Sequence, residues 1–317
     1  MKTSFIIPTF NEQKNIHRCL NSIGKQTYPH KNIDIIIADG HSTDSTLALI
    51  DDWNDNNDIP VRIVHNDKVI AEFGKAAALR VAEGDLLCLL DCDEELVQED
   101  ALSSYVRAFD VFPDITGVEP HFLKIPGGPI LNNYLAVTHY TDPLGESLAI
   151  KPHVVDTKTV DGKVFRKLEF GTAYGCMLFL KRDAVAPFLD RDQFHEGTIM
   201  PELSLSGANK MCMIDGYGVW HHHVESLADF MRKRSKIATK FMTRSKEGKT
   251  WVNYARRSMC FAAVLNLTLL YQIVYSCTKA AKHREPLWLL HPPMCFLTTL
   301  SYTINWLRIK ATGRKAW

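Results

Sequence analysis

The chain of 317 residues carries almost no net charge, +1 at neutral pH, and has no internal repeat or low-complexity tract. Solenoid and disordered-tail readings are thereby excluded. Its eight cysteines are scattered, with no C-x-x-C pair and no zinc-ligand spacing. A zinc module and a disulfide framework drop out, and the pattern reads as reduced core thiols in a cytosolic setting. Basic and aromatic residues are not interleaved as on a nucleic-acid-binding surface, so no nucleic acid is expected as a partner. The first residues enter directly into a strand-like run, so no secretory signal is expected. No glycine-rich loop follows that run, which argues against a nucleotidyltransferase.

What is present is a series of short apolar runs that end abruptly in polar residues. Ser4-Phe-Ile-Ile-Pro-Thr-Phe-Asn-Glu12 is the first, and Ile33-Asp-Ile-Ile-Ile-Ala-Asp39 the second. Val61–His65, leading into Asn66-Asp67, is the third. The fourth, Asp85-Leu-Leu-Cys-Leu-Leu90, is preceded by Gly84 and stops at Asp91-Cys92-Asp93. Between them lie helical patterns, such as Ile16, Cys19, Leu20 and Ile23 at i, i+3, i+4, i+7. Strands alternating with helices predict a parallel α/β sheet whose ligands bind at the strands' carboxyl ends. Two residues apart on an extended chain, Asp91 and Asp93 project to one side and can approach one hard cation.

The segments Phe5-Ile-Ile-Pro-Thr-Phe-Asn-Glu12, Ala38-Asp-Gly-His-Ser-Thr-Asp-Ser-Thr46, Gly74-Lys75 and Leu90-Asp-Cys-Asp-Glu94 resemble, in order and spacing, the family 2 glycosyltransferases. The resemblance is close over residues 4–95 and looser to about residue 225. It implies a GT-A fold, a Rossmann-like nucleotide-binding sheet, and inverting transfer from a nucleotide-sugar. By the same resemblance Pro8, Thr9, Asn11 and Glu12 line the nucleoside pocket, with Glu12 toward the ribose. Asp39 would pair with the base, and Asp67 and Lys75 would lie by the donor. Asp91 and Asp93 would hold the metal–diphosphate, with Mg²⁺ or Mn²⁺ as the ion. Taken singly, Asp39 also reads as a turn residue, Lys75 as a solvated helix residue and Asn11 as a cap. One departure is plain: the helix between Gly74-Lys75 and Gly84-Asp85 is about one turn shorter than the family's and lacks its Asn.

The acceptor side is less well matched. Gly171–Arg182 resembles the family's glycine-containing strand beside the acceptor. An inverting transfer to a hydroxyl needs a carboxylate to take its proton. The family supplies one from a Glu-Asp pair, which this chain lacks. Glu202, in Pro201-Glu-Leu203, is the first candidate base and Glu196, in His195-Glu196, the second. Glu202 reads equally as a helix-terminus residue. Trp220-His-His-His223 matches the family's Tyr-His element, with His221 as the expected metal or diphosphate contact. Met231-Arg-Lys-Arg-Ser-Lys236 replaces the Gln-x-x-Arg-Trp of processive members, so transfer of a single sugar is expected.

The near-zero net charge hides an asymmetry. Residues 1–225 carry 20 basic against 33 acidic side chains, and residues 226–258 carry 10 against 2. Leu227, Phe230, Met231, Ile237, Phe241 and Met242 share a helical face within that basic segment, the pattern of an interfacial amphipathic helix on anionic lipid. Two stretches without charged side chains follow, residues 259–278 and 286–307. Each has the length of a membrane span. Arg256 and Arg257 flank the first, and Arg308, Lys310, Arg314 and Lys315 follow the second. They predict a hairpin with both ends cytoplasmic. Lys279, Lys282 and Arg284 in the connection, and Pro292-Pro293, also allow a re-entrant second segment.

The sequence therefore predicts a GT-A domain over 1–225, a basic amphipathic region over 226–258 and a membrane hairpin over 259–317. The expected activity is metal-dependent transfer of one sugar, from a UDP-sugar, to a lipid-linked or polyprenyl-phosphate acceptor at the cytoplasmic membrane face. A soluble or surface-polysaccharide precursor is the alternative acceptor. A nucleotidyltransferase and a catalytically inactive membrane-binding protein are the alternative classes.

Overall fold

The computed structural model describes residues 1–140, 142–145, 152–170, 178–244 and 264–312, with the side chains of 240–244 excepted. The chain divides into two compact units, residues 1–121 with 150–220, and residues 122–149 with 221–317. Residues 122–149, expected within the catalytic domain, cluster with the C-terminal helices instead.

In the first unit the four expected strands are β1 (Thr3–Thr9), β2 (Ile33–Asp39), β3 (Val61–His65) and β4 (Leu86–Leu89), alternating with α1 (Ile16–Gly24), α2 (Thr46–Asp55) and α3 (Ala71–Val81). They pair in parallel in the order β3-β2-β1-β4. Every residue of β2 is buried, as the continuous apolar run requires of a central parallel strand. Its first carboxylate, Asp34, accepts a 2.7 Å hydrogen bond from Ser4 Oγ. On α1 the buried side chains include Ile16, Cys19, Leu20 and Ile23, the stripe seen in the sequence.

Beyond β4 come β5 (Glu94–Leu96), α4 (Ala101–Val111), β6 (Gly117–Val118) and β7 (His121–Phe122). In the second unit lies α5 (Ile130–Thr138), and the first unit resumes with β8 (His153–Val160), β9 (Lys163–Glu169), β10 (Leu178–Lys181), α6 (Glu196–Leu205), β11 (Lys210–Ile214) and β12 (Gly218–His221). The sheet continues as β4-β10-β6-β11-β9-β8, nine strands in all, while β5, β12 and β7 form a small separate sheet. Because β10 is antiparallel to both β4 and β6, β6 points the same way as β4. Residues emerging from β1, β2, β4 and β6 therefore share one edge. Gly84 is required where β4 begins: a Cβ there would stand 2.5 Å from the Ser4 backbone nitrogen.

The second unit contains α7 (Leu227–Arg244), α8 (Leu270–His283), a 3₁₀ turn at Pro286–Leu290 and α9 (His291–Thr312), around a core of Tyr134, Leu135, Val224, Phe230 and Met294. On α7 the buried residues are Phe230, Arg234 and Ala238, whereas Leu227 and Ile237 are exposed. The expected apolar face is thus split between the core and solvent; the side chains of Phe241 and Met242 lie outside the described residues. Among the described residues no helix is long and apolar enough to cross a membrane. The expected span 259–278 begins outside them, as do its flank Arg256-Arg257 and the distal Arg314 and Lys315. The expected span 286–307 is broken into the 3₁₀ turn and α9, whose buried Thr298, Thr299, Ser301 and Asn305 dilute its hydropathy.

Candidate active site

Thr9, at the end of β1, is buried, and its backbone carbonyl accepts from Gly40 N at 2.8 Å, tying the ends of β1 and β2 together. Pro8, one residue earlier on β1, pairs with Ala38. Asn11 adopts a left-handed backbone, φ 54°. Its amide donates to Ser42 Oγ at 2.9 Å and its Oδ1 accepts from Thr43 N at 2.8 Å. Asn11 is thus a clasp between the two loops rather than a helix cap. Glu12 donates its amide to Thr46 Oγ1 at 2.8 Å, and its carboxylate accepts from Asn15 Nδ2 at 2.8 Å. Buried Asp39 accepts from Ser42 Oγ at 2.6 Å and Ser42 N at 3.1 Å, which fixes the carboxylate at the sheet edge. Asp67 is exposed and pairs at 2.9 Å with Nε2 of His41, whose ring stacks on His65 at 5.8 Å.

Lys75 meets both Asp91 and Glu196, so it is not the solvated helix residue that was its alternative reading. Lys75, on α3, is nearly buried, with Nζ 3.2 Å from Asp91 Oδ1 and 2.5 Å from Glu196 Oε1. Burial alone would lower its pKa, but Asp91 and then Glu196 outweigh that cost and hold the ammonium well above the usual lysine range. Next to this group Glu72, also on α3, lies 3.7 Å from Nε2 of His195, the residue just before α6. Phe194 N donates to the Glu72 carbonyl at 2.9 Å, so the first turns of α3 and α6 are fastened together. The Asp91 amide donates to Glu94 Oε2 at 3.1 Å, which tightens the loop that carries Asp93. Burial pushes the Cys19, Cys88 and Cys92 thiols well up, so they stay protonated and offer no thiolate beside these carboxylates.

The two candidate bases are in different situations. Glu202 is half-exposed and gripped by both ends of one guanidinium, Arg191 Nη1 at 2.9 Å and Nη2 at 2.7 Å. Those hydrogen bonds hold its carboxyl below the usual range. Glu196 is nearly buried and shares Lys75 with Asp91.

Two features escaped the sequence reading. Glu119 follows β6 as Asp91 follows β4, at the same sheet edge, and is buried with Oε2 lacking a hydrogen-bond partner. Burial pushes its carboxyl well above the usual value. The signal was there, an acid terminating a short apolar strand, but β6 is only two residues long. The other is His223. In the second unit the His221 and His223 rings lie 4.8 Å apart, as expected of residues two apart on an extended chain. Buried Asn132 holds this segment from both ends, donating to the His221 carbonyl at 2.7 Å and accepting from Val224 N at 3.0 Å. Arg234 Nη2 lies 3.2 Å from His223 Nε2.

An open mixed sheet, parallel across its first four strands, with carboxylates and a lysine gathered at their carboxyl edge defines an α/β domain of the GT-A type. Residues 4–185 match the family described as Glycosyl transferase family 2, and the chain belongs to that family. Curated relatives include the poly(ribitol-phosphate) β-N-acetylglucosaminyltransferase TarS of Staphylococcus aureus, 30% identical over 99 residues, which are 31% of this chain and 17% of that protein. A dolichyl N-acetyl-α-D-glucosaminyl phosphate 3-β-D-2,3-diacetamido-2,3-dideoxy-β-D-glucuronosyltransferase of Methanococcus voltae is 30% identical over 145 residues, 44% of each chain. The chain thus spans less than half the length of these curated relatives. Among solved structures, a mannosyltransferase of Pyrobaculum calidifontis in complex with GDP-Man and Mn²⁺ superimposes with a TM-score of 0.55 at 15% identity, covering 95% of this chain and 87% of that one. Residues 1–349 of S. aureus TarS with UDP-GlcNAc give 0.51 at 14% identity, covering 99% and 93%. These likenesses establish the fold.

Proposed function

We propose that the chain transfers a single sugar, with inversion, from a nucleotide-sugar to a lipid-linked or polyprenyl-phosphate acceptor at the cytoplasmic face of the cell membrane. The observation that carries this reading is the linkage of Asp91, Lys75 and Glu196 at the carboxyl edge of the sheet. Solved neighbours of the same fold hold UDP-GlcNAc or GDP-Man, and a UDP-sugar is the proposed donor here. The curated relatives named for dolichyl or undecaprenol-linked substrates support the lipid-linked acceptor.

The nucleoside would lie against Pro8, Thr9, Asn11 and Glu12, with Asp39 on the base and Asp67 by the donor. Asp91 and Asp93 supply hard carboxylate oxygens, which fit Mg²⁺ or Mn²⁺, and His221 is the imidazole that the family resemblance would add. Such an ion would neutralise the charge on the departing diphosphate. Lys75 contributes a buried, permanently charged ammonium to the same end. Glu196 is the proposed base in preference to Glu202, because it faces Lys75 and Asp91 whereas Glu202 is neutralised by Arg191. Where the acceptor is a phosphate, already a nucleophile at neutral pH, Glu196 acts only to orient Lys75.

Transfer measured for Glu196→Gln and Glu202→Gln tests the assignment. Glu202→Gln should keep at least about half of the parent rate, since an exposed ion pair contributes little. Glu196→Gln should lose about 100-fold or more in kcat with a hydroxyl acceptor. The reverse ranking overturns the assignment.

A further inference from the structure

The C-terminal helices are built inside out. On α8, Gln272 and Ser276 are each 1% exposed, while Leu270 is 74% and Val274 69% exposed. Leu270, Ile273, Val274 and Cys277 form an outward stripe at i, i+3, i+4, i+7. On α9 the buried side includes Thr298, Thr299, Ser301 and Asn305, and the outward side carries Leu300, Ile304 and Leu307. The buried polar groups bond between segments: Gln272 Nε2 donates to Asn266 Oδ1, and Asn305 Nδ2 donates to Ser235 Oγ at 3.0 Å. A helix folded against water does the opposite and buries its apolar stripe. Polar groups turned inward and apolar groups outward are the arrangement of helices that face lipid, where an unpaired polar group on the outside is the costly one.

Charge and aromatic placement say what covers the stripes. Residues 264–312 carry five basic side chains and one acidic. That acid, Glu285, is neutralised by Lys124 at 2.5 Å. Lys279 Nζ sits over the Tyr275 and Trp288 rings at 5.4 and 5.2 Å, and Lys310 Nζ over Trp306 at 4.1 Å. Lysines riding on aromatic rings are the side-chain pairs that settle at the boundary between acyl chains and headgroups. A second copy of this chain is a poorer cover, since a symmetric contact would bring two sets of five cations together.

We propose that α8 and α9 dock on an anionic lipid bilayer by sinking their outward stripes into one leaflet, with Lys279, Lys282, Arg284, Arg308 and Lys310 against the headgroups. This deepens the membrane placement in the proposed function, yet it stands apart from the chemistry. The test is flotation of the full chain with vesicles of phosphatidylcholine alone and of phosphatidylcholine with about 30% phosphatidylglycerol. The parent should float with the anionic vesicles and at least about tenfold less with the neutral ones. The double variant Leu270→Glu/Val274→Glu should lose about tenfold or more of the anionic binding while its melting temperature stays within ~2 °C of the parent. Should that variant misfold, quenching of the parent's Trp306 by brominated lipid, absent in Trp306→Phe, reads the same immersion. Asp93→Asn is floated in parallel: if it floats but transfers no sugar, docking and chemistry are separately confirmed. Parent protein that stays at the bottom of the gradient overturns the docking and leaves the transfer reading untouched. A dimer in light scattering that the double variant converts to monomer, without vesicle binding, overturns it in favour of a self-interface.

Discussion

Lys75 joins two carboxylates that lie far apart in the chain, Asp91 after β4 and Glu196 at the start of α6. Removing one member of a buried pair leaves the others uncompensated. Lys75→Met should therefore lower the unfolding free energy by about 3 kcal/mol in urea titrations. Combining it with Glu196→Gln should recover part of that loss, because the two residues share one network. Full additivity would mean that the lysine acts elsewhere. Glu119 works in the opposite sense. Its carboxyl is pushed up by burial, so the folded state holds a proton that the unfolded chain releases near the ordinary glutamate value of about 4.3. Its protonated form is compatible with folding below that value, and stability is lost as the pH rises from there toward the raised folded value. Glu119→Gln should consequently be more stable than the parent at pH 8, with the gap closing at pH 4. Parallel urea titrations at the two pH values decide it, and a gap that does not depend on pH would refute the burial account.

At the scale of elements, the close approach at Gly84 gives a direct check of the sheet's register. A methyl group there meets the Ser4 nitrogen, so Gly84→Ala should lower stability by about 2 kcal/mol, read as a fall in thermal midpoint. An unchanged midpoint would mean that β1 and β4 are not so close. The four parallel strands and the stripe on α1 were legible because each is a local pattern: a short apolar run with a polar stop, or a repeat of 3.6 residues. The positions of Asp39 and Asp91 at the ligand edge were legible for the same reason, since each follows or ends a short apolar run, whereas Lys75, inside α3, was singled out only by the family resemblance. The Lys75–Glu196 contact was not, because 121 residues separate the partners and no local pattern encodes that pairing. Nor was the orientation of α8 and α9. A stripe of Leu270, Ile273 and Val274 states that one face is apolar but not which way it faces, and the buried Gln272 and Asn266 that settle it are unremarkable in the sequence. The same ambiguity made residues 286–307 read as a span: lacking charge is not the same as being apolar enough, given Thr298, Thr299, Ser301 and Asn305.

At the scale of the molecule, the match over residues 4–185 places the chain in Glycosyl transferase family 2, and the carboxylate-lined sheet edge suits the proposed nucleotide-sugar and divalent ion. Thr9, Asn11, Asp39 and Ser42 are already fastened at the ends of β1 and β2, so the proposed nucleoside side would be organised before any ligand arrives. Little ordering remains to oppose binding there. On the proposed diphosphate side, Lys75, Asp91 and Glu196 pair among themselves. A cation with a diphosphate would offer them new partners, so donor affinity should depend steeply on the ion. Calorimetric titration with UDP-sugars and GDP-sugars, in Mn²⁺ and in EDTA, for the parent and Asp93→Asn, is the most direct measurement. At least one nucleotide-sugar should bind the parent in Mn²⁺ and weaken by about tenfold or more both in EDTA and in Asp93→Asn. Binding that ignores both the chelator and the substitution, or no binding by any donor, would contradict the account.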